Sequence, residues 1–531
     1  MKIELKNNKG FSWHQNKSIF IKGYFYDENN VFYQKENAIK FLSSIENKED
    51  FKSLLKILNG VFSIIVLIDN LTFIAADTTR SFPIFYTLKN EEIILSDDIL
   101  HLKNNYGLTS FNTVSETELK SSYHTHGKKT LLKNVFQVQS NQYLIIKKNT
   151  IIENNFFFSY AIKEENSGTY NSLKNNAVKA FENTFKRLIK SLDNKTVVIP
   201  LSAGFDSRLI SVFLKKYNYK NVICYTYGRK DSFEIENSKK TAENLGFQWH
   251  FIEYNNDLIG DFVNTKEFES YAHFAGKHIA MPNMQEFFAV RYLKESQIIP
   301  KDSIFISGYA GDLLGGSQFL KVIPESLNHS EIVDLILSKK FNMCSLSNSN
   351  KKKIEKEIKN SLLNFDENYL EKIPSSVFED YDIKEKIAKY IFNSASFYTF
   401  FGFEHRFPFW DKELLNFFKQ VPVKFKVMKT LFDDVLINNY FKPENVYFKS
   451  ENQPSKKIIY TQKIKDKVKP ILPTFIKEKF LQKNDWNNYE SITKRMLFSL
   501  KKENIENDRK FLSYNEIIIQ WYLIFCKNSA K

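Results

Sequence analysis

Residues 197–210 read Val197-Val198-Ile199-Pro200-Leu201-Ser202-Ala203-Gly204-Phe205-Asp206-Ser207-Arg208-Leu209-Ile210. An apolar run stops at Ser202, a short loop follows, and helical spacing begins at Leu209 and Ile210. A buried strand that turns through small residues into a helix N-terminus makes an anion site. The first helical N–H groups lack intrahelical partners, and the helix dipole adds positive potential there. Ser202 and Ser207 add hydroxyl donors, and Gly204 admits close approach of a phosphate. Asp206 is the odd member, because an acid beside phosphates repels them unless a divalent cation lies between. The loop therefore predicts pyrophosphate held with Mg²⁺. Neither G-x-x-x-x-G-K-[ST] nor G-x-G-x-x-G is present around it.

Working outward, strands and helices alternate. Expected strands are Thr196–Leu201, Val222–Tyr227, Trp249–Tyr254 and Ser303–Ser307, and expected helices are Ser207–Lys216, Glu234–Leu245 and Met284–Leu293. This order predicts an α/β doubly wound parallel sheet, with ligands beyond the carboxyl ends of its strands. A helix is expected over Asn171–Leu192, and the pattern is almost wholly helical from Asn328 onward. Residues 1 to about 160 read instead as short strands, including Ser18–Tyr24, Gly60–Ile68, Thr72–Ala76 and Tyr143–Lys147, interrupted by one helical segment over Lys35–Ile57. Polar Ile162–Thr169 is the expected linker. The expected division is an α+β, β-rich domain over 1–165, an α/β domain over 170–460 and a helical C-terminal extension over 461–531.

Composition bounds the function. The 531 residues are 43% hydrophobic and 15% aromatic, enough for two or more cored domains. The net charge of +15 comes from lysines spread along the chain, read as solvated helix faces, so no specific nucleic-acid partner is expected. Cys224, Cys344 and Cys526 have no metal-ligand spacing and form no disulfide framework. No apolar leader or membrane span is evident, and the expected location is cytoplasmic, with no membrane partner. His124-Thr125-His126 is expected in a surface loop.

Beyond the first loop, Thr226 ends a strand where an adenine would lie. Ser307-Gly308-Tyr309-Ala310-Gly311-Asp312 ends another and brings a second acid to the same sheet edge. Asp206 and Asp312 are the expected Mg²⁺ ligands, with ATP phosphates between them. Further on stand Gly402-Phe403-Glu404-His405-Arg406-Phe407-Pro408-Phe409-Trp410-Asp411 and Tyr447-Phe448-Lys449.

The order of these segments resembles the asparagine synthetase family. Its synthetase domain carries S-G-G-x-D-S, S-G-x-G-x-D, G-x-E-x-R-x-P-F-x-D and R-x-K in that order. Here Ala203 replaces one glycine, and Tyr447 stands in place of the arginine. The N-terminal region resembles a class II glutamine amidotransferase domain at Leu58–Ser63, at Asp77, at Pro83–Tyr86 and at Leu95-Ser96. The resemblance implies a β sandwich followed by an ATP-pyrophosphatase domain. It also implies an AMP- and pyrophosphate-forming ligase that adenylates a carboxylate for attack by ammonia or an amine. Ser202, Gly204, Ser207, Thr226, Ser307 and Gly308 would hold the nucleotide, and Lys449 would neutralise developing charge.

The departures are as informative. The family hydrolyses glutamine with an N-terminal Cys exposed by removal of Met, whereas position 2 here is Lys2. The glutamine-holding N-G-E reads Lys22-Gly23-Tyr24, so the domain is expected to be a degenerate, non-catalytic copy. Tyr309 stands where asparagine synthetases put Glu and β-lactam-forming relatives put Tyr. In those relatives a Tyr–Glu pair deprotonates an amine within the substrate, and Glu404 is the expected partner acid. The carboxylate is then open among aspartate, a sugar uronic acid and a peptide-like molecule that closes on itself. The other readings are a non-catalytic ATP-binding relative and a nucleic-acid modifier. A separate ammonia source and a homodimer are both compatible with the sequence.

Overall fold

The computed structural model describes residues 1–319, 327–448, 482, 485–502 and 513–528. The N-terminal region contains β1 (Lys2–Glu4), β2 (His14–Gln15), β3 (Ile19–Tyr26), β4 (Phe32–Gln34), β5 (Asn59–Ile68), β6 (Leu71–Ala76), β7 (Phe85–Lys89), β8 (Glu92–Ser96), β9 (Val135–Gln137), β10 (Gln142–Lys147) and β11 (Thr150–Phe156). One sheet runs β11-β10-β6-β5-β3-β2, with β4 also paired to β3, and the other runs β1-β8-β7-β9. Strand alternation sorts the side chains. Phe62, Ile64, Phe73 and Ile145 face helices α1 (Lys35–Leu42) and α2 (Lys48–Ile57), while Ile65, Ile74 and Leu144 face Tyr86 and Leu95 of the second sheet. A third layer of contacts joins Phe85 and Ile94 to helix α3 (Ile99–Tyr106). The single helix expected over Lys35–Ile57 is broken at Ser43–Asn47, because Asn47 caps α2 by accepting from the Glu49 and Asp50 N–H groups.

His124 and His126 are not in a surface loop. Both are fully buried just after helix α4 (Thr113–Ser122), and burial pushes the His124 imidazole down to about 3. Glu118, His126 and Glu357 come close enough together to hold a metal ion, but the Lys129 ammonium lies between the two acids, 2.8 Å from Glu357. The expected linker is tied down as well. Asn166 N–H donates to the Gln420 carbonyl, and the Ile162 carbonyl accepts from Ile373.

The second region opens with helix α5 (Tyr170–Lys190) and contains β12 (Val197–Pro200), β13 (Val222–Gly228), β14 (Gln248–Glu253), β15 (Ile304–Ile306) and β16 (Glu404–Arg406). All pair in parallel, in the order β14-β13-β12-β15-β16. The chain leaves β12 towards one edge through helices α6 (Phe205–Lys216) and α7 (Glu234–Leu245), then returns to build β15 and β16 on the other side. The reversal falls between β12 and β15, and ligands of such sheets bind at that switch point. β16 lies inside the stretch that reads as helical, a three-residue strand too short for a periodic signal. Val197, Val198, Ile199, Phe305 and Ile306 are fully buried, as expected for a central parallel sheet.

In the C-terminal extension, helices Tyr489–Lys502 and Tyr514–Asn528 pack on the rest of the chain. Trp521 and Tyr522 are buried, and the Tyr522 hydroxyl accepts from the His278 N–H at 3.0 Å. Cys224 and Cys526 are buried and Cys344 is half-buried. No helix among the described residues is long and apolar enough to cross a membrane.

Candidate functional site

A cavity of about 820 Å³ opens at the switch point. Ser202, Gly204, Asp206 and Ser207 line it from the β12 side, and Ser307, Gly308, Tyr309 and Asp312 line it from the β15 side. Eight of the eleven residues singled out in the sequence therefore share one pocket. Helix α6 starts at Gly204 without any side-chain cap, so its first N–H groups are left for a ligand. Ser207 Oγ accepts from the Ser202 N–H at 3.2 Å, and Ser202 Oγ accepts from the Gly204 N–H at 3.1 Å, which folds the loop tightly.

The two acids meet because two glycines let the loops touch. A Cβ at Gly308 would stand 2.7 Å from Asp206 Cβ, and one at Gly311 would stand 2.8 Å from Asp206 Cγ. Asp312 N–H donates to Asp206 Oδ2 at 2.9 Å. Desolvation, then the Asp312 carboxylate, pushes the Asp206 carboxyl up to about 8, with Lys429 pulling the other way. Two facing carboxylates beside an uncapped helix start, one of them held far above its ordinary range, fit a divalent cation. Asp206 and Asp312 are the residues that would hold it.

The opposite wall supplies groups that the sequence reading missed. Lys429 lines the cavity 3.2 Å from Asp433 Oδ1, and Asp433 lines it too. Met428 and Lys429 both adopt left-handed backbone, with φ of 57° and 55°. Two consecutive non-glycine residues there cost conformational energy, a pattern that clusters at ligand clamps. The unusual backbone has no sequence signature, and one lysine among so many gives none.

Glu404 is not at the site. In β16 it shares a face with Arg406, whose Nη2 is 3.1 Å from its carboxylate, and it accepts from Gln34 Nε2 at 2.9 Å. Its motif serves mainly to join the two halves of the chain. Arg406 lies over the Tyr24 ring, and Asp411 takes Arg187 and Asn59. Trp410 Nε1 donates to the Tyr309 carbonyl at 3.1 Å and so helps to fix the loop bearing Tyr309.

The acid beside Tyr309 is Glu286. The Tyr309 hydroxyl donates to Glu286 Oε2 at 2.7 Å. Tyr398 donates to the same carboxylate at 3.1 Å, and Tyr225 also donates to it. Glu286 stands at the N-terminus of helix Phe287–Glu295 yet does not cap it. Burial pushes its carboxyl above the ordinary range, and the three phenols oppose that shift. Burial likewise drives the Tyr309 phenol well up. Glu286 and Tyr309 both line the cavity. They are 23 residues apart in sequence and no motif spans them, so only the fold pairs them.

Thr226 does not line this cavity. It is buried, and its hydroxyl donates to the Leu201 carbonyl at 2.7 Å and is bonded to Ser238. Tyr227 and Phe233 line the rim instead. Lys449 lies outside the described residues.

No family model matches the chain, and no curated protein matches it. Among solved structures it is similar to the NH3-dependent NAD synthetase from Campylobacter jejuni, at 13% identity and a TM-score of 0.21, covering 37% of this chain and 96% of that one. It is also similar to a glutamine phosphoribosylpyrophosphate amidotransferase from B. subtilis, at 11% identity and a TM-score of 0.18, covering 57% of this chain and 59% of that one. Likeness at this level carries no functional inference, which leaves the chain's own residues to supply one.

Proposed function

We propose that this chain is an ATP-dependent ligase, of the asparagine synthetase type in its ATP-binding half. It adenylates a carboxylate and transfers the acyl group to ammonia or an amine. The observation that carries this reading is the pair Asp206 and Asp312, facing each other across the switch point beside an uncapped helix start.

In the first step a carboxylate oxygen attacks the α-phosphorus of ATP. The bond to the bridging oxygen breaks, and pyrophosphate leaves with the electron pair. The N–H groups at the start of α6, with the Ser202 and Ser207 hydroxyls, receive the pyrophosphate oxygens. Asp206 and Asp312 would hold Mg²⁺, which would supply charge neutralisation on the phosphates. Lys429 adds positive charge from the facing wall, and the motif match gives Lys449 the same kind of role in the transition state. Tyr227 and Phe233 form the aromatic rim for the base. In the second step the amine nitrogen attacks the acyl carbonyl, the C–N bond forms, and AMP departs. The amine proton passes through the Tyr309 hydroxyl to Glu286, whose raised affinity for a proton suits a base.

The pairing of Tyr309 with the buried Glu286 favours a second reading within the same chemistry, in which the amine belongs to the substrate itself and the product is cyclic. The test is ATP–pyrophosphate exchange against aspartate, uronic acids and peptide-like amino acids, followed by AMP release with and without added ammonia. Carboxylate-dependent exchange supports the ligase. AMP release without ammonia selects the intramolecular amine. Mg²⁺-dependent ATP binding with no exchange across the panel selects a non-catalytic ATP-binding protein.

A further inference from the structure

Arg208 has no place in the chemistry above, yet it is fully buried one residue beyond the phosphate-binding loop. Its neighbours on α6, Leu209, Ile210, Val212 and Phe213, are apolar core residues, and an aliphatic side chain would be the cheaper occupant. Burying a guanidinium is costly unless its donors are met. Here Nη2 donates to the Ala203 carbonyl at 2.7 Å, and Nη1 donates to the Val446 carbonyl at 2.8 Å. The rings of Phe205, Phe441 and Phe448 stand 5.2–5.4 Å from the guanidinium carbon and add cation–π attraction.

The first of these bonds fixes the phosphate loop. In a trans peptide the C=O and the following N–H point in opposite directions. Holding the Ala203 oxygen towards Arg208 turns the Gly204 N–H the other way, where Ser202 Oγ accepts it. A carbonyl rotated towards the cavity would bring a negative dipole end up to a bound phosphate. The second bond ties the same side chain to Val446, on the segment that leads into Tyr447 and Phe448.

We infer that Arg208 is a positioning residue that keeps the Ala203 carbonyl turned away from the phosphate site and couples the 203–204 peptide to the 446–448 segment. The phosphate part of this inference rests on the ATP reading above. The coupling does not.

The test uses full-length wild type, Arg208→Lys and Arg208→Met, with Mg²⁺-pyrophosphate and adenosine as separate probes in calorimetry. A lysine keeps the charge but cannot reach two carbonyls with a planar fork. Both variants are expected to lose about tenfold or more in pyrophosphate affinity, the worth of a charge-assisted hydrogen bond. Adenosine affinity stays within about twofold of wild type. Equal losses for both probes, or none for pyrophosphate, would overturn the phosphate role. Hydrogen exchange on ligand-free protein decides the coupling. Arg208→Lys should speed exchange at residues 203–206 and 446–448 together, and faster exchange at only one of them refutes it. If Arg208→Met does not fold, the lysine variant carries both measurements. If the lysine variant fails too, wild-type exchange decides: Mg²⁺-pyrophosphate should slow both segments, and slowing of 203–206 alone refutes the coupling. A wild type that binds no Mg²⁺-pyrophosphate removes the ATP reading and the phosphate role with it. The ligand-free exchange result then still stands or falls by itself.

Discussion

Asp77 and Asp206 are both fixed by motifs, both held above the ordinary carboxylate range, and built for opposite purposes. Asp77, in the N-terminal region, accepts from the Phe62 N–H, the Thr79 N–H and hydroxyl, and the Arg80 N–H. Its needs are met by its own fold, and burial leaves the carboxyl at about 6. Asp206 receives one backbone N–H, faces a second acid, and is driven to about 8. An acid satisfied from within holds a turn together. An acid left short of donors and opposite another acid is waiting for a cation. The same contrast separates Glu404, paired to Arg406 and Gln34, from Glu286, whose carboxylate accepts from the phenols of Tyr225, Tyr309 and Tyr398.

The largest effect expected is at Lys449. If this cation acts when charge builds in the transition state, Lys449→Met cuts AMP formation by about 10²-fold or more while ATP affinity changes little. Normal turnover in that variant would show that the role given to Lys449 is wrong.

Next comes Glu286→Gln. Without a proton acceptor, amide formation should fall by about 10- to 100-fold, whereas carboxylate-dependent ATP–pyrophosphate exchange persists because adenylation precedes the amine's attack. Glu404→Gln should leave both steps near wild type. The reverse pattern would return the acid's role to Glu404.

These two acids also show where the sequence was legible. The β-α order, the loop after β12 and the second acid after β15 were all readable, since each rests on local periodicity or short motifs. The motif containing Glu404 matched as well, but a linear match does not say which way a strand faces. In β16 Glu404 points along the Arg406 face into the contact with the N-terminal region. Glu286, Lys429 and Asp433 lie in stretches that read as helical, but periodicity does not say which polar side chains meet at a cavity, so only tertiary packing brings them there. Thr226 was read from its place at a strand end, and its hydroxyl is consumed by Leu201 and Ser238.

A smaller effect follows from the proton on Asp206. Its carboxyl in the ligand-free fold is raised from 3.8 to about 8, so below that pH a divalent cation must displace a proton. Mg²⁺-dependent ATP affinity should therefore climb with pH by up to about tenfold per unit and level off above pH 8. The same linkage has the opposite sign for stability. The folded form holds this proton more tightly than the unfolded chain, so Asp206 makes the ligand-free protein less stable as pH rises from 3.8 to about 8. Calorimetry across pH 6–9 reads the first effect, and flat affinity would mean that Asp206 does not ligate the cation.

The most direct measurement is an ATP titration, with and without Mg²⁺, of wild type, Asp206→Asn and Asp77→Asn. The account predicts Mg²⁺-dependent binding in wild type and its loss in Asp206→Asn, with thermal stability retained because a carboxyl that holds its proton up to about pH 8 is replaced by a neutral amide of the same shape, whose oxygen can still accept from the Asp312 N–H. Asp77→Asn should do the reverse, binding MgATP normally when folded but losing about 1–3 kcal/mol of stability as buried donors go unmet. Undiminished MgATP binding by Asp206→Asn would contradict the account at its centre.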